Sequence, residues 1–165
     1  MIFNLQGEER LLLRFFKKYS RFEYALKVGG YGKTGKLKEV NADWPKYLKD
    51  IRAEFEKNAD EKIIDAYNYL LGEPPKRLII DSNELVWKSS EPEDKTTEAL
   101  FKMIQRVRNN LFHGMKYHRK YDAGPPKDPK RNERLLQSCI DILDELKRLS
   151  PDKVQKAFED AVVQL

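Results

Sequence analysis

Gln105-Arg106-Val107-Arg108-Asn109-Asn110-Leu111-Phe112-His113-Gly114 carries a helical apolar pattern straight into a cluster of polar side chains. Leu100, Met103, Ile104, Val107 and Leu111 recur at three- and four-residue steps, which predicts an amphipathic helix with one core-facing stripe. The helix starts near Thr96 or Thr97. Gly114 suits the left-handed position that ends a helix, so His113 lies on the last turn. At about 100° per residue from the Leu100 stripe, Arg108 lies about 80° round, with Phe101 at about 100° and Phe112 at about 120°. Arg108 is thus expected among aromatics on the flank of the core. Asn109 at about 180° and His113 at about 220° form an i, i+4 pair in which the amide can orient the imidazole. Arg108 and His113 diverge by about 140°, so a second copy of the helix completes a site using both more easily than one helix does.

Working outward, the flanking segments read as further helices. Residues 7 to 28 keep Leu12, Phe15, Phe16, Tyr19, Phe22 and Leu26 at helical spacing, aromatic enough for a core or a subunit interface. Helices over 43–57 and 60–71 open with Pro45 near the start of the first and an aspartate cap on the second; Gly72 and Pro74-Pro75 stop the latter. Asp128-Pro129 and Ser150-Pro151 open two more. The first carries Leu135, Leu136, Cys139, Ile142, Leu143 and Leu146, and the second ends in Val162, Val163 and Leu165. Leu78-Ile79-Ile80 and Leu85-Val86-Trp87 flank Asp81-Ser82-Asn83-Glu84, a candidate short hairpin that, marginal alone, must pack on the bundle. The fold class expected is all-α, a single domain over 1–165, with one short β-hairpin insert.

Composition narrows the function. The 165 residues are 40% hydrophobic and 36% charged, and no apolar run approaches the roughly 20 residues of a membrane span. Met1 to Gln6 lacks a signal-peptide pattern, so a cytoplasmic location is expected, and the lone Cys139 excludes an internal disulfide. The net charge of +5 and pI near 9.1 favour an anionic partner. Gly32-Lys33-Thr34 imitates a phosphate-binding loop, but the glycine such a loop needs five positions earlier is Lys27, and the segment follows a helix instead of a strand. It is read as a flexible basic connector. The loop after Gly114 interleaves Lys116, His118, Arg119, Lys120, Lys127 and Lys130 with Tyr117 and Tyr121, the cations and rings that suit single-stranded RNA. With only His113 and His118 as histidines and no cysteine near them, neither a metal site nor a cofactor is expected.

The run Arg108, Asn109, three residues, His113, Gly114 resembles the signature of the HEPN domains (higher eukaryotes and prokaryotes nucleotide-binding): an Arg, a polar residue directly after it, and a His four to six positions beyond. The resemblance extends loosely to the first helix with Phe22-Glu23-Tyr24-Ala25-Leu26-Lys27, the Pro-Pro segment, the insert and the closing helix. It implies an up-down helical bundle, a homodimer whose two motif helices meet in a cleft, and in active members a metal-independent endoribonuclease of toxin or phage-defence type. Arg108 would then bind the scissile phosphate, His113 would transfer protons, and Asn109 would orient His113 or touch the phosphate. An antitoxin partner is implied in the same way. Relatives regulated by tyrosine modification carry Tyr two positions after the His; here Met115 stands there and Tyr117 is the nearest substitute. Two other readings stay open, a non-catalytic module binding nucleotide or RNA, and a helical interaction protein.

Overall fold

Short polar side chains placed just before apolar-periodic runs set most of the helix starts. The computed structural model describes residues 7–89, 94–112 and 128–162, and among them six α-helices and two small antiparallel sheets. Helix α1 (Glu8–Leu26) has Glu8 and Glu9 in its first turn, where negative charge meets the positive end of the helix dipole, and buries Phe15, Tyr19, Phe22, Ala25 and Leu26. Asp43 caps α2 (Trp44–Asn58) with Pro45 in its first turn. Asp60 caps α3 (Glu61–Gly72), accepting from the Ile63 N–H at 2.9 Å. Thr96 caps α4 (Thr97–Phe112) through Oγ1 and the Ala99 N–H at 3.1 Å. Asp128 caps α5 (Pro129–Leu149) through the Arg131 N–H at 3.0 Å.

Helix α5 is the axis of the molecule. Its residues from Ser138 to Leu143 are all buried, more than one stripe, because α1, α2, α3, α4 and α6 (Asp152–Asp160) all pack against it. Asp141, buried within that run, accepts from Lys62 Nζ at 2.8 Å and Gln137 Nε2 at 2.7 Å, so the carboxylate is paired. The buried apolar side chains form one cluster, in which Cys139 is fully enclosed. No helix among the described residues is long and apolar enough to cross a membrane.

Several expectations are corrected. The fold is mostly helical but carries two hairpins where one was expected. The supposed connector after α1 is ordered: a π-type turn over Lys27–Tyr31, with Gly30 at φ 100°, leads into β1 (Gly32–Thr34), which pairs with β2 (Val40–Ala42). Ser150 does not cap α6. Its hydroxyl bonds the Leu146 carbonyl at 2.8 Å and the Tyr47 hydroxyl at 2.7 Å, which closes α5. Helix α6 stops at Asp160, leaving Val162 beyond its end and exposed.

The other hairpin, β3 (Arg77–Asp81) and β4 (Glu84–Lys88), turns at Ser82 and Asn83, both at positive φ as a type I′ turn requires. Among the described residues no helix makes an extensive backbone approach to it, although Leu78, Ile79 and Trp87 are half-buried. Its root is tied down. Arg131 donates to the Glu73 and Pro74 carbonyls at 3.4 and 3.0 Å, Arg106 to Pro75 at 3.0 Å, and Asn110 to Lys76 at 2.9 Å. The two prolines have no N–H to offer a ladder, so side chains of α4 and α5 take up the carbonyls of this segment.

Candidate functional site

The last two turns of α4 present their residues in two directions. Arg106 and Asn110, one turn apart, face the Pro74–Lys76 strap and are structural. Arg108 faces the other way, toward α1. Its guanidinium carbon lies 4.7 Å from the Phe112 ring centre and 5.9 Å from that of Tyr19. It is half-buried there, on the flank of the core where the helical projection puts it. A guanidinium lying on a ring keeps its N–H donors at its edge, and the contact is worth about 0.5 to 1 kcal/mol at an exposed site. Among the described residues its one hydrogen bond is from Nη1 to Asn109 Oδ1, at 3.1 Å.

Asn109 is exposed and is thus engaged by Arg108; His113, the residue it was expected to orient, lies outside the described residues, as do Lys116, Tyr117, His118, Arg119 and Lys120. The structure therefore brings together Arg108 and Asn109 of the expected set.

Tyr19 supports the floor of this site. Burial, then the charge of Glu23, pushes its phenol well above the ordinary range, while Arg108 and a hydrogen bond from the Gln105 side chain act the other way. Tyr19 also stacks on Phe101, which packs on Trp44 with ring centres 4.1 Å apart. Of the two rings that Arg108 approaches, Tyr19 is thus fixed in the core, while Phe112 is at the surface.

Two residues to which the sequence reading gave no site role join it. Phe16 of α1 and Phe112 of α4 meet with ring centres 5.1 Å apart, yet stay 39% and 47% exposed. They make an aromatic ledge at the surface, with the Arg108 guanidinium on the Phe112 side. The projection gave the sequence signal for Phe112, a ring about 40° further round than Arg108. Phe16 had no comparable signal because its partner is on another helix. On the opposite side of α4 Arg106 has Arg77 nearby: after burial, the charge of Arg77 lowers the Arg106 guanidinium from its ordinary value.

A cleft of about 340 Å³ opens elsewhere, lined by Gly29, Gly30, Tyr31, Lys46, Asp50 and the start of α6. Tyr31 donates to Asp50 at 3.1 Å and Lys46 Nζ to the Gly30 carbonyl at 3.4 Å, so polar groups of that cleft are satisfied within the protein. It holds none of the motif residues. Comparison with family models, curated proteins and solved structures finds no match to the chain.

Proposed function

We propose that the chain is a metal-independent endoribonuclease of the HEPN kind, acting as a cytoplasmic homodimer in which two α4 helices share a cleft. The observation that carries this reading is the setting of Arg108, a half-buried guanidinium between the buried Tyr19 ring and the exposed Phe112 ring, bonded to Asn109. That arrangement supports phosphate recognition: the planar donor fork meets two phosphate oxygens, and its orientation is set before substrate arrives. Phe16 and Phe112 offer faces on which an unpaired base stacks.

In the reaction, the ribose 2′-oxygen attacks the adjacent phosphorus as its proton leaves, and the bond from phosphorus to the 5′-oxygen breaks as that oxygen gains a proton. The products are a 2′,3′-cyclic phosphate and a 5′-hydroxyl. His113 transfers the proton at one end or the other, suited by an imidazole pKa of about 6.5. Arg108 stabilises the charge that builds on the phosphate oxygens. Lys116, Tyr117, His118, Arg119 and Lys120 hold flanking RNA, and a dedicated antitoxin protein restrains the activity in a toxin or phage-defence setting.

The test is cleavage of a mixed RNA pool in EDTA by the wild type and by His113→Ala. Cutting by the wild type alone, leaving cyclic phosphate ends, supports the reading. If neither protein cuts while the wild type still binds RNA or nucleotide, the reading gives way to a non-catalytic binding module. If it neither cuts nor binds, the chain is an interaction protein.

A further inference from the structure

The β3–β4 hairpin exposes apolar side chains and is charged in a pattern that disfavours its standing alone. Ile80 is 75% exposed and Val86 38%. The register sets Arg77 opposite Lys88 and Asp81 opposite Glu84, like charges facing at both ends of the ladder. Read along β3, however, the order is Arg77-Leu78-Ile79-Ile80-Asp81, basic at one end and acidic at the other.

We propose that β3 pairs antiparallel with β3 of a second copy of this chain, about a two-fold axis at Ile79, joining the two hairpins into one four-stranded sheet. In that register Arg77 stands opposite Asp81 of the second copy, and Leu78 opposite Ile80. Both charge pairs across the new interface are opposite-sign, and each Arg77 gains a carboxylate to set against its own Lys88.

The backbone fits the same axis. A two-residue turn makes Asp81 and Glu84 a hydrogen-bonded pair, so Ile79 with Val86 and Arg77 with Lys88 are bonded pairs too. The N–H and C=O groups of Leu78 and Ile80 therefore point away from β4. Among the described residues no strand takes them up. An axis at Ile79 makes Leu78 and Ile80 the bonded pairs across the new interface, as their free groups require, and leaves Arg77 and Asp81 in the closer, non-bonded positions.

Strand β4, Glu84-Leu85-Val86-Trp87-Lys88, has the same end charges reversed. Strand β3 is the better edge because its root is held: Asn110 fixes the Lys76 carbonyl and Arg106 that of Pro75. A fixed strand loses less freedom on pairing. Lys76 is three residues, about 10 Å, from the axis, so the carboxyl ends of both α4 helices are drawn toward it. This interface does not depend on the RNA reading, since its test reads mass and no activity.

The experiment measures the oligomeric state of the full chain by sedimentation equilibrium. The wild type is expected to be a dimer. Arg77→Asp and Asp81→Arg each set like charge against like and should raise the dimer Kd by about tenfold or more. The two single variants mixed together restore both opposite-sign pairs and should associate as the wild type does, which also excludes misfolding as the cause. A monomeric wild type overturns the proposal, as do single variants that dimerise like the wild type. So does sensitivity confined to Glu84→Lys and Lys88→Glu, which would place the interface on β4.

Discussion

Arg108 and Asn110 stand two residues apart on one helix and make opposite predictions. Arg108 touches Phe112 and Tyr19 with a flat guanidinium and gives one hydrogen bond to an exposed Asn109. Lysine preserves the charge and loses the plane and the fork, so, if the chain is the proposed ribonuclease, Arg108→Lys should cut RNA about 10²-fold more slowly, close to Arg108→Ala, with Tm hardly changed. A single-turnover rate near the wild type's for Arg108→Lys would mean that only charge matters there. Asn110 instead holds the Lys76 carbonyl. Asn110→Ala should lower stability by about 1 kcal/mol, seen in urea unfolding, while the cleavage rate per folded molecule stays within about twofold of the wild type. The sequence alone could place these two side chains in different directions. It could not tell that the strap claims Asn110, because Lys76 is far away in the chain.

At the scale of elements, the junction after α1 depends on two adjacent glycines for different reasons. A Cβ on Gly29 would lie 2.6 Å from Val154 Cγ2 and 3.3 Å from the Val154 Cα, so this turn packs directly on α6. Gly30 has open space around it but φ of 100°. Gly29→Ala should cost about 1 to 3 kcal/mol by forcing α6 away, and Gly30→Ala about 1 kcal/mol by backbone strain. Adding Val154→Ala to Gly29→Ala relieves the clash with the side chain but leaves the backbone contact and a gap where the methyls were. The double variant should therefore unfold with less than the summed loss of the two singles, whereas Gly30→Ala with Val154→Ala should be additive. Strictly additive losses for both pairs would mean that Gly29 does not meet Val154.

The same junction shows where sequence reading stopped. Caps at Asp60 and Asp128 were legible because an acceptor and its N–H are three residues apart, whereas Asp43, read as the first helical residue, caps α2 in the same way. The β1–β2 hairpin was not: strands of three residues among glycines and lysines leave no alternation to read. Ser150 looked like a cap and instead answered Tyr47, a residue brought to it by the fold. In α5 the stripe was visible, but Ser138, Ile140 and Asp141 are buried only because other helices surround it. For the site, Arg108 on an aromatic flank was readable from one helix, whereas Phe16 and Tyr19 arrive on another.

For the whole molecule, the aromatic core fixes how stability depends on alkaline pH. Burial raises the phenols of Tyr19 and Tyr47 far above the ordinary value, the second despite its bond to Ser150. In the unfolded chain they ionise at a pH of about 10. Below that pH both states hold the protons, and this contribution to stability is fully present. Above it the unfolded chain loses protons that the folded one keeps, so stability falls as pH rises, by about 1.4 kcal/mol per pH unit for each of the two phenols. Lysines titrate in the same range and blur the total, so the informative quantity is a difference between proteins. Tyr19→Phe removes one such phenol from the core at the cost of the Gln105 bond, and its unfolding free energy should decline less than the wild type's between pH 10 and 11, by about 1 kcal/mol, since the unfolded phenol is only half ionised at the start of that interval. Parallel curves would mean that Tyr19 ionises as easily in the folded protein as outside it. In that case the floor beneath Arg108 would be open to water, and the guanidinium would lose the fixed ring on which its orientation depends.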